Sequence, residues 1–401
     1  MFAVPQRLPG LIVAGLLCGV FFSLGASTVS ANEIGLTSAG PSGWTNVTPT
    51  LSPQPMAGAM MAYSSKAHRF VLFGGWDGVK GLNETWVYDP GNRTWNQLNL
   101  DVSPLGRGDE MFVYDERADA FVLFGGWHEL TNGSYIRLAD TWWFSLDNVK
   151  WTESHPAVSP SPRSDSEVAY DPLVDAILLL GGFNGTAYLG DIWAYTPNNN
   201  TWSPRPAAVQ PSPRADGRMV YVSNQDRFIL FGGNDLSGPN GSNHHLADTW
   251  TYAWSSNLWT PLPLTEGPGA RDYPIFSFDP ILGLVFLHGG FGDNTILSDL
   301  WAFSTTSATW LSLTPARSPP PRFAAAGGFD LTSDVLVVFS GLASTGLLAD
   351  TWQYSYGASS GPGGPLSPIL VGVGVTSAIV VGVVIAVALV LSRGARRLGP
   401  R

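Results

Sequence analysis

The chain has 401 residues, with 46 Gly, 31 Pro and 16 Trp but only 13% charged side chains. So many turn formers beside so many aromatics exclude low-complexity disorder and favour short strands joined by turns, an all-β fold. The formal net charge of −10 argues against nucleic acid as a partner.

Residues 8–25 are almost wholly apolar, follow Arg7, and lead to the small residues Val29 and Ala31. That is the pattern of a secretory signal peptide, so residues 1–31 are expected to be cleaved; an uncleaved anchor is the alternative. Cys18, the only cysteine, lies inside this segment. The mature chain is then expected to form no disulfide and to offer no thiol to a metal or a substrate.

From residue 41 to 357 the sequence repeats. Apolar runs end in Gly74-Gly75, Gly125-Gly126, Gly181-Gly182, Gly232-Gly233 and Gly289-Gly290, with Ser340-Gly341 as a sixth copy. A Trp follows each: Trp86, Trp142, Trp193, Trp250, Trp301 and Trp352. Nine residues further on stands a second: Trp95, Trp151, Trp202, Trp259 and Trp310. The sixth unit has no such residue, whereas "GWTNV", with Trp44, precedes the first unit as a spare outer strand. Each unit reads as four strands, the second an unbroken apolar run such as "FVLF" or "ILLL" that must be covered on both faces. One four-stranded sheet cannot bury both faces alone; radial stacking lets each cover the next.

The diglycine, the spaced Trp pair and their register resemble the kelch repeat. The resemblance implies a six-bladed kelch-type β-propeller in which the strand with Trp44 completes the last blade and closes the ring. Strands two and three are joined by longer loops in blade two (Trp127–Ala139) and blade four (Asn234–Ala247) than elsewhere. Insertions on one face of a rigid scaffold often carry binding, which makes Trp127, His128, His244 and His245 candidate ligand contacts. Arg107, Arg163, Arg214, Arg271 and Arg322 each stand where an inner strand begins; blade one has Met56 there. The resemblance implies that these five could ring the channel mouth and fork-bind a ligand's carboxylates. The alternative role is an ion-pair ring within the propeller, with Asp109, Asp165, Asp216 and Asp272 as neutralising partners. Arg322 has no Asp two residues on and is the one expected to be unpaired.

Galactose oxidase shares the propeller type but uses copper and a Tyr–Cys crosslink, which a mature chain without cysteine cannot form. His244-His245 with Asp248, and His128-Glu129, are the only local clusters of metal-ligand type. No cofactor, no metal and no catalytic residue is expected. Seven N-x-[ST] sequons occur, at Asn46, Asn83, Asn92, Asn132, Asn184, Asn199 and Asn240. Asn132 and Asn240, in the two long loops, and Asn184 are the glycosylation candidates.

A Gly/Ser/Pro-rich linker, 358–368, leads to Ile369–Ser392, 24 residues without a charge. As a helix this run is about 36 Å long, enough to cross a hydrocarbon core of about 30 Å. The basic tail 393–401 places the C-terminus in the cytoplasm by the positive-inside rule. Residues 32–367 then face outward with a net charge near −15. The expected molecule is a single-pass cell-membrane protein that displays a recognition or adhesion module for a protein or glycan. A surface carbohydrate-active enzyme, such as a sugar mutarotase, and a structural envelope protein are the alternatives.

Overall fold

The computed structural model describes residues 43–238 and 242–356. The expected signal segment 1–31, linker 358–368, membrane span 369–392 and tail 393–401, and the sequon residue Asn240, lie outside the described residues. Among the described residues no helix is long and apolar enough to cross a membrane.

Six antiparallel four-stranded sheets form the blades of a propeller. Blade one runs from the inner strand Ala57–Ser64 through Arg69–Trp76 and Thr85–Asp89 to the outer strand Thr94–Leu98. In blade six, Ala326–Asp330, Val335–Phe339 and Thr351–Ser355 are followed by Gly43–Asn46 from the other end of the domain. Trp44 pairs with Tyr354 in that register. The ring is therefore closed by the spare N-terminal strand.

The second strand of blades two, three, five and six is buried at every position, as the unbroken apolar runs require. The apolar side chains fall into six clusters, one at each interface between neighbouring blades. Val71 and Phe73 of blade one, for example, meet Phe112, Phe121, Phe144 and Trp151 of blade two.

Both Trp residues of the repeat have a fixed job. The second inserts toward the preceding blade and donates its indole N–H to a Thr there: Trp95 to Thr351, Trp151 to Thr85, Trp202 to Thr141 and Trp310 to Thr249. Trp44 and Trp259 find no partner among the described residues. The equivalent position in the preceding blade is Leu300 for the one and Ile192 for the other, and neither carries a hydroxyl. The first Trp bonds the acidic residue two positions before it, as Trp142 does with Asp140 at 2.7 Å.

The diglycine joins blade to blade. Gly126 N–H donates to the Arg163 carbonyl of the next blade at 2.9 Å, and the same bond recurs around the ring. Gly125 holds φ +67°, and a Cβ there would lie 2.5 Å from that carbonyl oxygen. Ser340 is the one departure; it holds φ +64° and its hydroxyl bonds the Met56 carbonyl.

Candidate functional site at the mouth of the central channel

The interblade loops and the loops between strands two and three share one face. The five arginines lie beneath it, and none opens to the channel. Each guanidinium is at most 2% exposed and forks onto the Asp that precedes the first Trp of its own blade: Arg107 on Asp140, Arg163 on Asp191, Arg214 on Asp248, Arg271 on Asp299, Arg322 on Asp350. Each also donates to the first carbonyl of its own diglycine or Ser-Gly pair, at 2.8 Å from Arg107 to Gly125. Burial alone would raise the carboxyls of Asp140, Asp191, Asp299 and Asp350. Hydrogen bonds and charge from their arginines outweigh it and hold them below the usual range.

This corrects two expectations. Arg322 is not unpaired: its two bonds to Asp350 are 2.8 and 2.9 Å long. Nor do Asp109, Asp165, Asp216 and Asp272 serve as the arginines' partners. A spacing of two places side chains on one side only in extended backbone. Asp109, Asp165 and Asp216 instead hold φ of 54°, 64° and 64°, in the left-handed region that Asp tolerates better than most residues. That turn swings the carboxylates away from the arginines and toward the axis.

The same turn builds a collar. Gly58, Asp109, Asp165, Asp216, Tyr273 and Ala324, one from each blade, all have positive φ. Asp109 N–H donates to Gly58 O, Asp165 to Asp109, Asp216 to Asp165 and Tyr273 to Asp216, at 2.8–3.0 Å, and Gly58 N–H to Ala324 O at 2.9 Å. Below the collar lies a cavity of about 220 Å³ lined by Met60, Ala62, Phe112, Val168, Arg218 and Phe276 among others.

The collar carries an acidic floor. Tyr273 reaches across to donate its hydroxyl to Asp165 at 3.0 Å. Trp127 N–H holds Asp109 at 2.7 Å. The Asn234 amide bridges Asp216 and Asp272 at 2.8 and 2.9 Å. Burial, then the nearby Asp165 charge, pushes the Asp109 carboxyl up to about 8. Burial does the same to Glu167, to about 8, and raises Glu110, Asp216 and Asp272. Aromatics edge the floor, half-buried except for the exposed Tyr135: Trp127 packs edge-on to Tyr135 at 5.3 Å, Phe183 lies against Tyr188, and Phe291 against Phe323. Arg137 covers the Phe183 ring at 5.2 Å, and Arg218 faces Tyr273 at 5.7 Å.

These raised carboxyls set a pH dependence. A folded-state pKa above the unfolded value stabilises the fold fully below the unfolded pKa, and that stability is lost as pH rises through the folded one. The depressed Asp140, Asp191, Asp299 and Asp350 act oppositely and lose their contribution as pH falls below about 4. The melting temperature should therefore be highest near pH 4–5 and fall toward about pH 8.5. Asp109→Asn should flatten that fall. A melting temperature that rises between those limits would contradict the burial of these acids.

Of the loop residues singled out from the sequence, Trp127 and His245 reach the mouth, His245 lying 4.0 Å from Asp272 and 5.5 Å from the Phe291 ring. His128 turns to the Gly106 carbonyl at 2.6 Å, and His244 lies outward beside Ser237 and Asp235. Asn132 and Asn184 are exposed. The blade-two and blade-four insertions are short hairpins, Trp127–Glu129 with Tyr135–Arg137 and Asn234–Asp235 with His244–His245. Sequence reasoning missed Tyr273, Asn234, Phe183 and Tyr188 as site residues. The available signal was register: Gly, Asp, Asp and Asp recur at one position of blades one to four, all residues that accept positive φ.

Residues 41–233 and 175–360 match the model described as the KLHDC2/KLHL20/DRC7 Kelch-repeats domain. Among curated proteins, the chain is 26% identical over 338 residues to Mei4-dependent protein 6 of Schizosaccharomyces pombe, covering 74% of this chain and 47% of that protein. It is 31% identical over 173 residues to Acyl-CoA-binding domain-containing protein 4 of Arabidopsis thaliana, 42% of this chain and 24% of that one. Kelch domain-containing protein 3 of Bos taurus is 25% identical over 283 residues, 64% of this chain and 70% of its own length. The chain thus spans about half or less of the first two.

Proposed function

From the premise that this chain belongs to the KLHDC2/KLHL20/DRC7 kelch-repeat family, we propose that it is a recognition module displayed at a cell surface. Its ligand is a protein, taken at the face that carries the channel mouth. A kelch propeller is a scaffold suited to protein binding, and the observation that carries the choice of face is the acidic floor with its aromatic edge. No comparable ring of half-buried aromatics and carboxylates is needed for closure, because the arginine forks and apolar clusters already hold the blades. Display outside the cell rests on the apolar segments at residues 8–25 and 369–392.

Two measurements test this reading. Protease added to intact cells should remove the propeller and spare an epitope on the tail 393–401; an untouched propeller would reverse the topology. On a protein and glycan array, Phe183→Ala and Phe291→Ala should each lose the ligand bound by the wild type. Lys66→Ala, at an exposed turn on the opposite face, should keep it. Loss with Lys66→Ala alone would move recognition to the other face.

A further inference from the structure

We propose that the channel mouth recognises one basic side chain of its protein partner, a lysine ammonium or an arginine guanidinium, seated on the floor formed by Asp216, Asn234 and Asp272. This deepens the recognition reading above and rests on it.

Three side chains carry the argument. Asp216, Asn234 and Asp272 are 6%, 3% and 7% exposed. Asn234 uses both hydrogens of its amide to hold one oxygen of each carboxylate. The remaining oxygens, Asp216 Oδ1, Asn234 Oδ1 and Asp272 Oδ1, have no partner among the described residues. With the carboxyls ionised all three are acceptors, clustered around one amide; burial raises the carboxyls of Asp216 and Asp272, and a cation seated on them favours the ionised form. A buried acceptor without a donor is costly, so the complementary ligand is a donor. An ammonium brings three donors and a positive charge; a guanidinium brings five in a planar fork. A carboxylate ligand brings only further acceptors and repulsion.

The charge balance agrees. Four aspartates surround the axis, and the basic groups that face them are Arg218, held by the Gly217 carbonyl and the Tyr273 ring, Arg137, spread over Phe183, and His245, whose Nδ1 stands 4.0 Å from Asp272 Oδ2, beyond hydrogen-bond distance. Arg137 Nε is a donor without a partner among the described residues, but it belongs to blade two, across the ring from Asp272 in blade five. Among the described residues no three His, Cys, Asp or Glu come together to hold a metal ion. Aromatic faces beside the floor, Phe291 and Tyr273 foremost, suit the stem and charge of such a side chain.

The test uses the full chain and blocked peptides that carry one central lysine, arginine, Nε-acetyl-lysine or glutamate among Gly and Ser, titrated calorimetrically. The lysine or arginine peptide should bind with a Kd of about 1 mM or tighter, and the acetyl-lysine and glutamate peptides at least about tenfold more weakly. Asp216→Asn and Asp272→Asn should each lower the affinity by about tenfold or more. Asp147→Asn, 71% exposed on the opposite face, should leave it unchanged. Circular dichroism and melting temperature confirm that each variant is folded. The proposal is overturned if acetyl-lysine binds as well as lysine, if no peptide binds at about 10 mM, or if both folded Asn variants bind as the wild type does. Should Phe183→Ala and Phe291→Ala lose a protein ligand that Asp216→Asn and Asp272→Asn retain, the mouth is still the recognition surface and only the cation assignment falls.

Discussion

Asp350→Ala is expected to destabilise the fold by about 3–5 kcal/mol, the cost of stranding one partner of a buried ion pair. Asp350 accepts two bonds from Arg322 and a third from the Trp352 indole at 2.6 Å. Arg322 is 1% exposed, so without the carboxylate its charge has neither counter-ion nor water. Arg322→Met should cost less, because Asp350 is 22% exposed and can turn to solvent. Blade one has made that exchange: Met56 is fully buried in place of the arginine, and Glu84 still takes the Trp86 N–H at 2.9 Å. Urea denaturation at neutral pH measures both. If Arg322→Met is the more damaging, the desolvated guanidinium is not what the carboxylate compensates. Neither change should alter binding at the mouth.

Trp44→Ala should cost a similar amount, about 3–5 kcal/mol for a large aromatic removed from a core. Trp44 is 4% exposed and packs on His288 at 4.8 Å and Tyr354 at 5.2 Å, which places it between blades five and six. Burial, and then the charge of Arg322, lowers the His288 pKa to about 3, so the ring is neutral and stacks as an aromatic. Trp44→Phe should cost much less than the alanine change, because the indole N–H is buried without a partner. Loss of the whole strand Gly43–Asn46 would bare the edge of Thr351–Ser355 and invite pairing between molecules. A change in denaturation midpoint for Trp44→Ala no larger than for an exposed residue would mean that this strand does not secure the ring.

The fold was legible because its signals are local and repeated. The apolar run must be covered on both faces, the diglycine admits a neighbouring backbone, and the Trp pair keeps register six times over. Even the closure was legible, since one outer strand is missing at residue 361 and one is spare at Trp44. The candidate site was not. Arg107 and Asp109 stand two apart, and extended geometry would pair them, yet Asp109 takes a left-handed turn and Arg107 reaches instead for Asp140, 33 residues away. That choice depends on which carboxylate the closed blade delivers to the guanidinium, a matter of distance in three dimensions rather than along the chain. Tyr273 and Asp165 are 108 residues apart and meet only because six blades close on one axis. The sequence by itself determined the propeller, its blade count and its closure, because burial and backbone sterics act on short stretches. Only the tertiary structure decided the sign of the mouth, because it hid the arginines within the blades and turned the aspartates inward, and charge is felt at a site only after it is known which charges are already paired.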